Sequence, residues 1–111
     1  MSDPGEPYLV FSTAPDAETA HRIATHLVEF RLAACVNILS GIESVYRWKD
    51  AVQHDNELLL IVKTTRAAYP ALQEAIVGLH PYELPEVVAV APVAGLPAYL
   101  NWISNSLETT R

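Results

Sequence analysis

The sequence predicts an α+β domain with the element order β-α-β-β-α-β and one further helix at its C-terminal end. Three observations carry that expectation. Four apolar runs rich in β-branched and aromatic residues lie at 8–13, 33–48, 57–65 and 86–91, a composition that suits strands. Between them, 16–32 and 65–79 repeat apolar residues every three or four positions, the period of a helix with one buried face. Prolines at 15, 81, 92 and 97 fall at the seams, where a fixed φ and a missing N–H end one element or begin the next.

Each element has its own local reasons. Tyr8-Leu9-Val10-Phe11-Ser12-Thr13 is a short apolar strand stopped by Pro15. Pro15 and Asp16 suit a helix start, where the missing donor costs nothing and an acid meets the positive end of the dipole. Ala20, Ile23, Ala24 and Leu27 then form the apolar stripe, which fades near Arg31-Leu32. Residues 33–48 read as one long strand bent at Ser40-Gly41, since a glycine inside a strand marks a bulge or bend. The polar segment Lys49 to Asn56 is expected to turn the chain, and Glu57 to Thr65 returns as an antiparallel partner. Thr64 or Thr65 suits the cap of a second helix with the stripe Tyr69, Leu72, Ile76 and Leu79. Glu86 to Ala91 is the last strand, and Gly95 and Pro97 begin a short helix carrying Tyr99, Leu100, Trp102, Ile103 and Leu107. This order is the ferredoxin-like split βαβ arrangement, an antiparallel sheet with helices packed on one face.

Bulk properties bound the function. At 111 residues the chain suits one domain, expected at 8–107 between a disordered leader, 1–7, and a tail, 108–111. A hydrophobic content of 50% against 18% charged residues excludes a disordered chain. The net charge of −6 argues against nucleic acid or an anionic membrane as partner. A single cysteine, Cys35, excludes an internal disulfide framework and suits a reducing compartment. The first seven residues are acidic and proline-broken, unlike a signal peptide. No apolar run approaches the roughly 20 residues that cross a bilayer. A soluble cytoplasmic protein is expected. Val45, Tyr46, Trp48, Leu59 and Ile61 exceed what two helices can bury, which points to a homo-oligomer.

The chemistry-bearing residues concentrate in His80-Pro81-Tyr82-Glu83-Leu84-Pro85-Glu86. Two prolines make this segment a stiff, extended connector. It presents an imidazole, a phenol and two carboxylates. His80 reads as a metal ligand partnered by Glu83 or Glu86, or as a residue that merely finishes a helix. Glu57 and Lys63 share one face of an otherwise apolar strand, which calls for an ion pair or a ligand. Tyr46 and Trp48 share a face of the preceding strand and suit a pocket or the core. Cys35 reads as a small core residue, His21 and His26 as surface groups, and His54 as a weak metal candidate beside the turn. There is no glycine-rich phosphate loop, nucleophile elbow or CxxC. A binding role is therefore expected over an enzymatic one; an enzyme would need Glu86 and His80 as base and acid.

Six stretches in one order resemble the CutA divalent-cation tolerance proteins. They are Ser12-Thr13-Ala14-Pro15-Asp16, Arg31-Leu32-Ala33-Ala34-Cys35-Val36-Asn37, Ser44-Val45-Tyr46-Arg47-Trp48, Glu57-Leu58-Leu59-Leu60-Ile61-Val62-Lys63-Thr64, His80 to Glu86, and Tyr99-Leu100-Asn101-Trp102-Ile103. The resemblance implies a ferredoxin-like subunit in a homotrimer, similar in architecture to PII-type signalling proteins. It implies a role in tolerance of divalent metals, copper in particular. On that basis Cu(II) or another divalent ion would bind at His80, Glu83 and Glu86, with no organic cofactor. The alternative is a PII-like module with an intersubunit cleft lined by Trp48, Glu57, Lys63 and Tyr82. That cleft would take a small anionic ligand or a protein partner. The resemblance also places the hairpin turn at Trp48-Lys49-Asp50-Ala51, where Asp adopts the left-handed geometry that glycine supplies in relatives.

Overall fold

In the computed structural model, which describes residues 3–108, seven elements follow one another. They are β1 (Pro7–Ala14), α1 (Ala17–Glu29), β2 (Cys35–Trp48), β3 (Ala51–Thr65), α2 (Tyr69–Leu79), β4 (Val88–Val90) and α3 (Pro97–Ser106). The strands form one antiparallel sheet in the order β2-β3-β1-β4. That is the expected split βαβ arrangement, with β3 and β1 at the centre.

Strand register decides which residues enter the core. Val10 pairs with Val62, Ser12 with Leu60 and Ala14 with Leu58, so these six share one face. Against it pack Ala20, Ile23 and Leu27 of α1 and Leu72 and Ile76 of α2, all fully buried. Each buried Ile or Leu contributes about 1.5–3 kcal/mol relative to exposure. Helix α1 starts where Asp16 accepts the Thr19 N–H at 2.8 Å. That hydrogen bond holds the Asp16 carboxyl below its ordinary value. The helix stops at Arg31, whose φ of 58° is left-handed, and the Leu32 and Ala33 N–H groups both return to Leu27 O.

The β2-β3 hairpin differs from expectation in one instructive way. Its turn lies where the resemblance put it, between Trp48 and Ala51, and is only Lys49-Asp50, both left-handed at φ 51° and 67°, the backbone of a two-residue type I′ turn. Residues 51–56, expected in the turn, instead continue β3 and pair from Trp48↔Ala51 to Glu43↔Asn56. Their polarity has a structural cause. β1 ends opposite Leu58, so beyond that point the hairpin is a two-stranded arm outside the core. The predicted bend is present, with a register shift between Leu39 and Ile42 and Gly41 at φ 81°.

Three further expectations are corrected. β4 spans three residues rather than 86–91; prolines at 85 and 92 restrict it on both sides. The leader is ordered from Asp3 onward: the Ala67 N–H donates to Pro4 O, the Arg66 N–H to Glu6 O, and Pro7 already pairs with Thr65. Residues 1–2 and 109–111, at the ends of the expected leader and tail, lie outside the described residues. Finally, the helices do not all share one face. α3 contacts β3 and β1, with Tyr99 against Lys63, on the face opposite Val62. Only Ile103 of α3 is buried. Among the described residues, no helix is long and apolar enough to cross a membrane.

Candidate functional site

Pro81 ends α2 by barring the next helical turn, and the His80 N–H makes the last helical bond, to Ile76 O. The chain then crosses the end of β1. β4 pairing stops opposite Phe11, and two residues further on the Thr13 carbonyl receives the His80 ring instead, Nε2 to O at 2.6 Å. The other ring nitrogen, Nδ1, accepts the Tyr82 backbone N–H at 3.1 Å. A peptide N–H is only a donor, so Nδ1 offers its lone pair there and Nε2 carries the hydrogen given to Thr13. His80 is 8% exposed. Both nitrogens are spent on the backbone, and His80 acts as a strut.

The strut positions Tyr82. Its ring lies on the imidazole with centroids 4.6 Å apart, and its hydroxyl donates to Glu57 Oε2 at 2.6 Å. Glu57 is buried at the root of the arm. Burial, then the hydrogen bond and charge of Glu57, push the Tyr82 phenol above its ordinary value. A second pair repeats this chemistry along the arm: the Tyr46 hydroxyl donates to Asp55, and that bond raises the Tyr46 phenol. Tyr46 and Trp48 of β2 share a face with Asp55 and Glu57 of β3. Tyr46 and Trp48, together with the connector, wall a cavity of about 320 Å³, lined by Tyr46, Trp48, Pro81, Tyr82, Glu83 and Leu84.

Of the expected cleft residues, the structure brings together Trp48, Glu57 and Tyr82 but not Lys63. Lys63 is six residues along β3 from Glu57, roughly 20 Å at strand rise. There its Nζ donates to Asn37 Oδ1 at 2.5 Å and lies over the Tyr99 ring. The Glu57–Lys63 alternatives, ion pair or shared ligand, are both excluded within one chain. The expected metal set is not assembled either. Glu83 and Glu86 are exposed, His80 has no nitrogen free, and among the described residues no three His, Cys, Asp or Glu side chains converge. His54 stands exposed on the arm opposite Val45. Asp55 is the residue that sequence reasoning missed. Counting back two positions from Glu57 finds it, once the turn is placed at Lys49-Asp50 rather than spread to Asn56.

The CutA1 divalent ion tolerance protein model matches residues 8–106. The chain belongs to that family. It is 52% identical over 95 residues to the divalent-cation tolerance protein CutA of Thermus thermophilus, covering 86% of this chain and 92% of that protein. It is 44% identical over 98 residues to the chloroplastic protein CutA of Arabidopsis thaliana. That alignment covers 88% of this chain but 54% of the plant protein, so the chain spans about half of the plant relative. The crystal structure of CutA from Xylella fastidiosa superposes with a TM-score of 0.91 at 43% identity, over 93% of this chain and 99% of that one. The CutA1 membership agrees with the six stretches read from the sequence.

Proposed function

We propose that this chain serves divalent-cation tolerance as a homotrimeric, PII-like binding module. Its working site is the pocket at the root of the arm, not a copper centre at His80. The observation that carries this reading is the state of His80: an imidazole bonded at both nitrogens to backbone can neither ligate a metal nor shuttle a proton without first breaking the connector. The connector instead places Tyr82 and Glu83 on the wall of a cavity. Assembly is supported by the arm, where Val45 and Val52 are 60% and 57% exposed. A two-stranded ribbon is marginal by itself in water, and a neighbouring copy is the simplest cover.

The test is complementation of a bacterial strain lacking its own family member, challenged with Cu(II). Trp48→Leu should fail to restore growth, while Glu86→Ala, outside the pocket lining, should restore it, both variants keeping a native mass near three times 12.2 kDa. The reverse pattern would return the function to a carboxylate metal site, and a monomeric wild type would remove the trimer.

A further inference from the structure

The pocket has a chemical sign. Its lining contains one charged side chain, Glu83. Glu57 stands directly behind Tyr82 and Asp55 behind Tyr46, each accepting the phenol proton. Within the same chain, the lysine expected in the cleft, Lys63, is held at the far end of β3 by Asn37 and Tyr99. An anionic ligand would meet no cation among the lining residues, only the Glu83 carboxylate, with the Glu57 and Asp55 carboxylates bonded to the two phenols.

The walls then narrow the class of cation. Three of the six lining residues are Tyr46, Trp48 and Tyr82. Aromatic faces attract cations through the ring quadrupole, and two or more rings recognise substituted ammonium groups. Both phenols are hydrogen-bonded to carboxylates, which leaves their ring faces richer in electron density than free tyrosines. Trp48 already shows the preference, with Lys49 Nζ 5.8 Å from its ring centroid. An inorganic divalent ion suits the pocket poorly. Such an ion demands six or more oxygen ligands or convergent soft donors, and no three His, Cys, Asp or Glu groups converge among the described residues. The volume, about 320 Å³, lies at the small end of ligand pockets.

We infer that the pocket takes a small organic cation, a substituted ammonium group seated against Trp48 and Tyr82, with Glu57 and Glu83 as counter-charge. The inference rests on the reading of this pocket as the working site and adds the ligand's charge and class. Calorimetric titration of the full-length assembled protein tests it with a matched pair: choline, and its uncharged isostere 3,3-dimethylbutan-1-ol. Choline should bind saturably and the isostere at least about ten-fold more weakly, because shape is shared and only the cation–ring and cation–carboxylate terms differ. Trp48→Leu should abolish choline binding. Glu57→Gln, which keeps an acceptor for Tyr82 while removing the charge, should weaken it several-fold with the melting curve retained.

Equal affinity for the two ligands would overturn the inference, as would tighter binding of citrate. So would absence of saturation by choline up to about 10 mM, where a two-ring cage with a carboxylate should already register. These failures are separable from failure of the underlying reading. If choline does not bind and Trp48→Leu still fails to restore growth, the pocket is the working site for another ligand class. If Trp48→Leu restores growth, the pocket itself is not the working site.

Discussion

Removing the hydroxyl of Ser12 should make the protein more stable. Ser12 lies on the helix-facing side of β1 opposite Leu60, 1% exposed, between Val10 and Ala14. Its Oγ is buried with no hydrogen-bond partner among the described residues. An unpaired buried hydroxyl costs about 1–3 kcal/mol in mutational data. Ser12→Ala recovers that cost and vacates the volume of a single oxygen, too small for water. At the cavity coefficient of proteins the void costs only a few tenths of a kcal/mol. The net expectation is a gain of about 1 kcal/mol, with the urea midpoint raised and the slope unchanged. The melting temperature should rise by about 4 °C for a chain of this length. Both proteins are compared at one protein concentration, since the proposed assembly would make the midpoint depend on it. A lower midpoint in Ser12→Ala would refute the reasoning and show that the hydroxyl is bonded to an ordered water or a carbonyl.

Three further perturbations follow from the same geometry. His80→Ala strands the Tyr82 N–H and the Thr13 carbonyl and removes the ring beneath Tyr82; about 2–4 kcal/mol should be lost in urea unfolding, and a loss below about 0.5 kcal/mol, the size of an ordinary surface substitution, would show that His80 is no strut. Asp50→Gly should stabilise by about 0.5–1 kcal/mol, because a type I′ turn favours glycine at φ 67°; a lower urea midpoint would mean that the Asp50 side chain contributes something glycine cannot. Asp16 is held below its ordinary 3.8 chiefly by the Thr19 N–H, so its contribution is complete above that value and disappears as pH falls through the lowered one. Asparagine caps about as well without titrating; Asp16→Asn should leave stability at pH 7 unchanged and flatten the acid limb of a stability–pH curve, and an equally steep limb would assign it to other carboxylates.

The fold was legible because its signals are local and repeated. Ala20, Ile23, Ala24 and Leu27 mark a face at helical period, and Gly41 marks the bend it makes. The arm was only half legible, for a physical reason. Polar residues such as Gln53, His54 and Asp55 are the signature both of a turn and of a strand with water on each side, and sequence pattern does not separate the two. The length of β1 does, since it ends opposite Leu58, but that is a property of the partner strand. Within one chain Lys63 lies apart from the other cleft residues for a related reason. Alternation says that Glu57 and Lys63 share a face and nothing about the distance between them along it. His80 is harder still. Whether an imidazole is spent on the backbone depends on the Thr13 carbonyl, 67 residues away in sequence, and no pattern around His80 reports it.

The arm links assembly to the pocket. Tyr46 and Trp48 project from a ribbon that the sheet does not support, whereas Pro81, Tyr82, Glu83 and Leu84 belong to a connector pinned by His80. Within one chain, the Tyr82 hydrogen bond to Glu57 ties the connector to the arm. One wall is therefore rigid and the other is as rigid as its surroundings allow. Covering Val45 and Val52 with a second copy would fix the loose wall, since apolar burial there opposes fraying of the ribbon. A ligand that requires both walls then binds the assembled form better than the isolated chain, and by linkage it must favour assembly to the same degree. In the proposed homotrimer, occupancy of the pocket and the oligomeric state would thus be two readings of one equilibrium. A probe that fills the pocket without shifting the concentration dependence of assembly would show that the arm is rigid without its neighbour.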